Sequence, residues 1–159
     1  MKGNPRIIEL LNEALRAELT AINQYWLHYR LLANMGVKKL ADFERHESID
    51  EMKHADKFAD RILFLDGFPN FQALNPLRIG EGVEEILRAD LAAEHEAVEL
   101  YRNAVGECEA LKDYVSRDLF AEVLKNEEEH VDFLETQFDL IRQIGIQNYI
   151  QLQSEAAEA

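Results

Sequence analysis

Turn-forming residues and cysteine are scarce in this sequence of 159 residues. Seven glycines and three prolines make up about 6% of the chain, where average usage gives roughly 12%. This scarcity predicts long helices joined by few turns. The single cysteine, Cys108, excludes an internal disulfide framework, a CxxC zinc ribbon and a rubredoxin-type iron centre within the chain.

Basic charge and long apolar runs are also lacking. Seventeen Lys and Arg residues stand against 31 Asp and Glu residues, which gives a net charge of −14. That charge repels phosphate backbones and anionic lipid, so neither nucleic acid nor a membrane is expected as a partner. The N-terminus leads into a charged amphipathic segment instead of a signal-peptide core, and no run of 18 apolar residues follows. We therefore expect a cytoplasmic protein with one domain over residues 1–159.

Hydrophobic periodicity predicts four long amphipathic helices. Asn4 and Pro5 begin the first one, because Asn caps free N–H groups and Pro lacks the N–H that a first turn leaves unpaired. This helix is expected to end at Asn34, before a glycine turn that makes the second helix its antiparallel neighbour. The other three are expected at these positions: 38–65, 83–110 and 113–144.

The connection over residues 66–82 holds two of the three prolines and three of the seven glycines. Seventeen extended residues reach at most ~56 Å, which exceeds the ~42 Å of a 28-residue helix, so this segment can cross a whole bundle. The sequence thus predicts an all-α fold, a ferritin-like four-helix bundle over about 5–144 with one long crossover. A short fifth helix over about 146–154 and a frayed end from Ser154 onward should follow. The apolar residues of this tail predict that it packs against something, such as another subunit.

Six ionisable residues interrupt the apolar stripes of the four helices. The first and third helices each carry a glutamate, and the second and fourth each carry a Glu-x-x-His motif. These residues are Glu18, Glu51, His54, Glu94, Glu127 and His130. Burial of unpaired carboxylates is costly, and no Lys or Arg lies on the same stripes to compensate. Two divalent metals would balance four carboxylates, so the pattern predicts a dinuclear metal site.

The spacing of these six residues forms an internal repeat. In each half of the chain the lone glutamate precedes the Glu-x-x-His motif by 33 residues, and the whole set recurs at an offset of 76. Tyr25 and Tyr101 each follow a lone glutamate by seven residues, and each can donate to a carboxylate on the facing helix. This ligand pattern is typical of di-iron bundles. The spacing alone leaves iron and manganese open and disfavours tetrahedral zinc.

Over essentially its full length the sequence resembles the bacterioferritins. The segments that carry the resemblance are Met1-Lys2-Gly3, Asn23-Gln24-Tyr25, Glu47-Ser48-Ile49-Asp50-Glu51-Met52-Lys53-His54-Ala55-Asp56 and Gly145-Ile146-Gln147-Asn148-Tyr149. The resemblance implies that the six residues form a ferroxidase centre, with Glu51 and Glu127 as bridging ligands and the histidines as terminal ones. It also implies a cage of twenty-four subunits that oxidises Fe(II) with O2 or H2O2 and stores the ferric product as a mineral.

Met52 follows one of the six residues directly and therefore points about 100° away from the di-iron face. The resemblance implies that Met52 from each of two subunits ligates one b-type haem across a two-fold interface. Four residues of the first helix would line the haem pocket: Leu19, Ile22, Asn23 and Trp26. The family also suggests a small iron-sulfur ferredoxin that docks outside the cage, above the haem, and donates electrons.

Further charged residues of the second helix lie beside the di-iron stripe. In the family's geometry His46 and Asp50 would hold an iron ion on the inner wall of the cage. Glu44 and Glu47 are expected to face the cavity and to help nucleate mineral, because a dense carboxylate lining concentrates cations. The two histidines not yet assigned are expected at the surface or at interfaces: His28 and His95.

Other functional classes predict different properties. A non-mineralising di-iron peroxidase or oxidase of the erythrin type would form a small oligomer. DNA-protecting mini-ferritins draw their ligands from two chains, whereas this chain supplies both half-sites and has no basic tail. A purely structural bundle would need its core carboxylates to be protonated or water-filled.

Overall fold

Five α-helices form the fold of residues 1–154, the part of the chain that the computed structural model describes. They are α1 (Pro5–Asn34), α2 (Lys38–Phe64), α3 (Val83–Ala110), α4 (Tyr114–Ile144) and α5 (Ile146–Gln153). Helix α1 packs mainly on α2, and α3 packs mainly on α4. The predicted all-α bundle with a short fifth helix is confirmed, while the predicted frayed end lies outside the described residues beyond Ser154. No helix within residues 1–154 is both long and apolar enough to cross a membrane.

The ends of α1 and α4 follow from individual residues. Asn4 caps α1 by accepting a hydrogen bond from the Arg6 N–H at 2.8 Å. Asp113 caps α4 in the same way, because its side chain accepts from the Ser116 N–H at 2.9 Å. Gly145 ends α4 with a φ of 77°, a backbone conformation that side chains with a Cβ rarely adopt. These caps set the length of the helices and therefore the height at which their polar residues lie.

The crossover between α2 and α3 runs along α1 without a helical turn, and the predicted long crossover is confirmed. Four side chains of α1 accept its backbone N–H groups: Asn12 from Asn70 (2.8 Å), Thr20 from Asn75 (2.9 Å), Gln24 from Arg78 (3.1 Å) and His28 from Gly80 (3.0 Å). The acceptors are four or eight residues apart, so they lie on one face of α1. One helix face therefore holds the crossover in place by hydrogen bonds.

Two hydrophobic clusters fill the two ends of the bundle. The first cluster is centred on Ile7, Leu10, Leu11, Ala14, Leu15, Ala55, Phe58, Ile62, Leu65, Tyr101, Ala104, Cys108, Phe120 and Val123. The second cluster is centred on Leu32, Val37, Leu40, Ala41, Val83, Ile86, Leu87, Leu134 and Tyr149. Cys108 is fully buried in the first cluster. Between the clusters lies a layer of buried polar side chains, and it is this layer that holds the candidate site.

Helix α5 packs against its own bundle. The Tyr149 side chain is fully buried in the second cluster, and its hydroxyl donates to Gln137 Oε1 at 2.9 Å. Leu152 remains 47% exposed. The tail is therefore packed, as predicted. Its contact through Tyr149 is with the bundle of the same chain, not with another subunit.

Candidate metal centre

The polar layer brings the six predicted ligands together in the middle of the bundle. Five of them are at most 3% exposed, and the His130 side chain is 12% exposed. They form two groups whose ligand atoms lie within 4.8 Å of one another: Glu18, Glu51, His54 and Glu127 in one, and Glu51, Glu94, Glu127 and His130 in the other. Because Glu51 and Glu127 belong to both groups, the site offers two adjacent metal positions that share two carboxylates.

Each histidine presents its Nδ1 atom to three carboxylates. His54 Nδ1 lies near oxygens of three glutamates: Glu18 (3.5 Å), Glu51 (3.3 Å) and Glu127 (3.3 Å). His130 Nδ1 lies near oxygens of another three: Glu127 (3.0 Å), Glu51 (3.3 Å) and Glu94 (3.5 Å). The two half-sites are therefore alike, as the sequence repeat predicts.

Several oxygens of the centre lack a hydrogen-bond donor. Among the described residues, Glu18 Oε2, Glu51 Oε1 and both oxygens of Glu127 are buried and make no hydrogen bond. Acceptor atoms of this kind are costly to bury unless a cation or a proton compensates them. An oxygen-rich set with two imidazoles suits an iron or manganese pair better than a closed tetrahedral zinc site. The residues present thus fit two divalent ions.

Two buried tyrosines hold the outer glutamates across the bundle. The Tyr25 hydroxyl of α1 donates to Glu94 Oε1 on α3, and the Tyr101 hydroxyl of α3 donates to Glu18 Oε1 on α1. This reciprocal arrangement confirms the predicted hydrogen bonds. Since Tyr101 occupies one oxygen of Glu18, the other oxygen, Oε2, is left for a metal.

Burial and mutual repulsion make the centre take up protons when no metal compensates the charge. Burial, together with the neighbouring Glu51 carboxylate, raises the pKa of Glu18 to about 8. Burial also raises the pKa of Glu94, and the Glu127 charge adds to this effect. For His54 burial works against the charged ring, but the surrounding carboxylates outweigh it and raise the pKa to about 12. Metal binding at this site therefore displaces protons.

The Nε2 atom of each imidazole, which lies on the other side of the ring from Nδ1, also has a polar partner. The Asn126 amide nitrogen lies 3.0 Å from His54 Nε2, and Glu47 Oε2 lies 2.6 Å from His130 Nε2. The expectation that Glu47 lines the cage cavity is wrong, because its carboxylate is buried beside His130. Its spacing carries a signal, since Glu47 precedes His54 by seven residues and so shares its helix face.

The expectations for Glu44 and His28 are also wrong. Both side chains are fully buried, whereas the sequence predicts Glu44 in the cavity wall and His28 at the surface or at an interface. With Asp90 they form a third group whose potential ligand atoms lie within 4.8 Å of one another. The α2 stripe includes Glu44 seven residues before Glu51, so helical spacing carries a signal for it. His95 is exposed, as expected.

His46 and Asp50 lie outside these groups. His46 is exposed, and its Nδ1 lies 2.7 Å from the carbonyl oxygen of Asp42. Asp50 pairs with Lys53 Nζ at 2.9 Å. Within residues 1–154 neither belongs to a cluster of three potential ligands, so the inner-wall iron site stays a prediction. Met52 is 49% exposed, whereas the neighbouring ligand Glu51 is 1% exposed.

A cavity of about 510 Å³ connects the crossover side of the bundle with the centre. Its walls include four of the predicted ligands: Glu18, Glu51, Glu94 and Glu127. Residues 75–78 of the crossover line it as well. Small solutes therefore have space to approach the carboxylates from this side.

The chain is similar in sequence to proteins of known family. The chain matches the ferritin-like domain family over residues 8–144. It is 54% identical over 158 residues to a bacterioferritin of Brucella melitensis, a match that covers 99% of this chain and 98% of that protein. A bacterioferritin of Streptomyces coelicolor is 48% identical over 150 residues, covering 94% of this chain and 90% of that protein.

A solved structure agrees with these relatives. The bacterioferritin of Rhodobacter capsulatus superimposes with a TM-score of 0.97 at 52% identity, covering 100% of this chain and 99% of that one. It is described as having a metal-free dinuclear site and a haem iron in a crystallographic special position. Sequence and structure together show that the chain belongs to the bacterioferritin family of ferritin-like proteins.

Proposed function

We propose that this chain stores iron by oxidising its substrate Fe(II) to Fe(III) at the buried centre, with O2 or H2O2 as oxidant, and by retaining the ferric product. The observation that carries the proposal is the sharing of Glu51 and Glu127 by both ligand groups. Sharing places two ions side by side, so that each can give one electron to the same oxidant. The bacterioferritin relatives support iron as the metal.

The residues of the chain have distinct roles in this reaction. Glu51 and Glu127 bridge the two ions, while Glu18 with His54 and Glu94 with His130 complete the two half-sites. Four carboxylates offset the charge of two Fe(II) ions, and their negative field favours the more highly charged ferric product. Tyr25 and Tyr101 keep the outer glutamates oriented, so that little rearrangement is needed when substrate binds.

Replacement of one bridging ligand tests this assignment. Glu127→Gln keeps the side-chain volume but removes a charge that both half-sites share, and Fe(II) oxidation should fall by at least about 100-fold, since even outer partners of a metal site commonly contribute about 10- to 100-fold. The matched control is Glu128→Gln at the next position, where the side chain is exposed and pairs with Arg102.

Stopped-flow absorbance of the ferric product and the iron retained in the high-mass fraction are the two measurements. A Glu127→Gln protein that oxidises Fe(II) at the wild-type rate would contradict the proposal. Oxidation without retained iron would instead favour the non-mineralising, erythrin-type oxidase.

We also propose that residues 1–159 form one domain and that it assembles into a cage of twenty-four copies. Apolar side chains of the crossover support assembly, because they are substantially exposed in the single subunit: Phe68, Phe71, Leu74, Leu77 and Ile79. Phe68 alone is 86% exposed. Exposed apolar side chains of this kind are commonly covered by a protein partner, and further copies of the chain are the partner that membership of the bacterioferritin family suggests.

We further propose that Met52 binds a haem shared with Met52 of a second subunit. Met52 is 49% exposed in the single chain, and Trp26 on α1, which the pocket would include, is 42% exposed. Both residues are therefore accessible to a bound group, and a thioether is a soft ligand that suits haem iron. When bound, the haem would supply a one-electron carrier, for which a ferredoxin is the proposed donor. Leu19, Ile22 and Asn23 complete the proposed pocket.

Met52→Leu tests the haem ligand. Leucine has similar volume but no sulfur, so the purified variant should lose the b-type haem absorption while Fe(II) oxidation at the buried centre persists. Met35→Leu is the control, because Met35 is similarly exposed at the end of α1. Full haem content in the Met52→Leu protein would refute the assignment.

A further inference from the structure

A second group of acidic side chains is buried next to the predicted di-iron ligands. Glu44 and Asp90 are both 0% exposed, and their potential ligand atoms lie within 4.8 Å of each other and of His28. Both oxygens of Glu44 and the Oδ2 of Asp90 make no hydrogen bond among the described residues. Three acceptor atoms are thus buried with no donor to satisfy them.

The neighbours of Asp90 satisfy only its other oxygen. Asp90 Oδ1 accepts from the Gln24 amide at 2.9 Å and lies 2.9 Å from His28 Nδ1. His28 Nε2 accepts the Gly80 N–H, which assigns the ring proton to Nδ1 and makes the imidazole a neutral donor to Asp90. His28 and Gln24 therefore orient Asp90 without neutralising it.

The internal repeat shows that the bundle does not need polar residues at these places. The same offset of 76 pairs each member of the group with an apolar residue: Glu44 with Phe120, Asp90 with Ala14, His28 with Ala104 and Gln24 with Leu100. All four apolar residues belong to the first hydrophobic cluster or pack against it. Since buried carboxylates are costly and the other half of the bundle packs without them, packing does not account for the acidic pair.

We propose that Glu44 and Asp90 hold a third divalent cation, separate from the dinuclear centre, with His28 and Gln24 as positioning residues. Two carboxylates balance the charge of such an ion. Their oxygens favour a hard cation of the Mg²⁺, Mn²⁺ or Fe²⁺ type over ions that prefer sulfur or nitrogen. Asp90 lies one helical turn before Glu94 and Glu44 two turns before Glu51, so the ion places positive charge close to the centre.

A proton competes with the cation for the same oxygen atoms. Burial raises the pKa of Glu44 well above its ordinary value, and the charge of Asp90 adds to this effect. A protonated Glu44 can donate to Asp90, which would satisfy the pair without metal. The two occupants make different predictions, because only the cation scatters anomalously and only the proton gives a carboxylic-acid infrared band.

Anomalous diffraction with Mn(II) as the probe distinguishes the two occupants. Crystals of the full-length assembled protein are soaked at an Mn(II) concentration that fills the dinuclear centre. The expected result is three peaks per subunit, two at the centre and one between Glu44 and Asp90. Glu44→Gln should lose the third peak and keep the other two, whereas Asp42→Asn, an exposed change on the same helix, should keep all three.

Equilibrium dialysis gives a second measurement on the wild-type protein, with three Mn(II) ions expected per subunit. Two central peaks without a third would overturn the third site. So would a carboxylic-acid band that persists in the Mn(II)-loaded wild type and disappears in Glu44→Gln. Either result would leave the proposed iron chemistry standing. A peak between Glu44 and Asp90 without the central pair would instead overturn the dinuclear centre alone.

Discussion

At the scale of the residue, the hydroxyl groups of two tyrosines orient ligands of the centre. Tyr25 and Tyr101 are buried, and each donates across the bundle to a glutamate of the facing helix. Burial raises the pKa of both phenols well above the ordinary value, and the nearby carboxylates add to this. The phenols therefore keep their protons and act as fixed donors at neutral pH.

Tyr101→Phe removes one of these hydroxyl donors and leaves the aromatic ring in place. Glu18 then loses its orienting hydrogen bond, and we expect the affinity of its half-site for metal to fall by about 10- to 100-fold. Co(II) titration followed by absorbance measures the effect. Tyr114→Phe is the control, because Tyr114 is 48% exposed. Equal Co(II) affinity in the Tyr101→Phe and Tyr114→Phe proteins would contradict the orienting role.

At the scale of the element, the crossover and α1 depend on each other. The crossover has no regular ladder of its own, so the side chains of α1 supply acceptors for its N–H groups. Thr20 is central to this arrangement, because its hydroxyl accepts from the Asn75 N–H at 2.9 Å and donates to the Arg16 carbonyl at 2.7 Å. The same crossover lines the cavity that leads to the centre.

Thr20→Val leaves the shape of the side chain nearly unchanged but removes the acceptor of the Asn75 N–H. We expect the crossover to open more readily, with a cost of about 1 kcal/mol, the usual net contribution of such a hydrogen bond. Hydrogen exchange of the Asn75 amide should become several-fold faster. Thr136→Val on the exposed side of α4 serves as control. Unchanged exchange at Asn75 would show that the hydroxyl does not hold the crossover.

At the scale of the whole molecule, a layer of negative charge lies between two hydrophobic clusters. The clusters favour the folded state, while the carboxylates of the layer oppose it unless protons or cations are bound. Four of the 31 acidic residues lie in the predicted dinuclear centre. Stability of the bundle is therefore coupled to the ions that the centre takes up.

This coupling predicts the pH dependence of the metal-free protein. Glu18 has its pKa raised from 4.5 to about 8 and His54 from 6.5 to about 12. Between the ordinary and the raised value the folded chain holds a proton that the unfolded chain has released, so stability falls as pH rises. The contribution of Glu18 is complete below about pH 4.5 and lost above about pH 8.

We therefore expect the melting temperature of chelator-treated protein to decrease as the pH is raised from 5 to 8. The melting temperature of Mn(II)-loaded protein should change less over this range, because metal replaces the protons. Scanning calorimetry across this range measures both. Glu18→Gln should reduce the slope of the metal-free curve. A midpoint that rises with pH in the metal-free protein would contradict the assigned shifts.

Local sequence accounts for much of the fold and of the centre. The helix ends at Asn4, Asp113 and Gly145 follow from capping chemistry, and the six ligands follow from their positions on apolar stripes. Helical periodicity is a property of the backbone, so it places a residue on a face without reference to the rest of the chain. The offset of 76 then matches the two half-sites because equal spacing puts equivalent residues at equal heights in the bundle.

What covers each face is decided only by the tertiary structure. Helical spacing puts Glu44 and Glu47 on the face of α2 that carries predicted ligands, but it does not say what covers that face. These two residues and His28 are buried because other elements lie against them at that height. The Gly80 N–H from the crossover reaches His28, and His130 of α4 reaches Glu47. The sequence by itself determined the helices, the repeat and the six predicted ligands, since these depend on local spacing. The burial of Glu44 and the hydrogen bonding of the crossover to α1 depend on contacts between residues that are distant in sequence. Only the folded chain specifies such contacts.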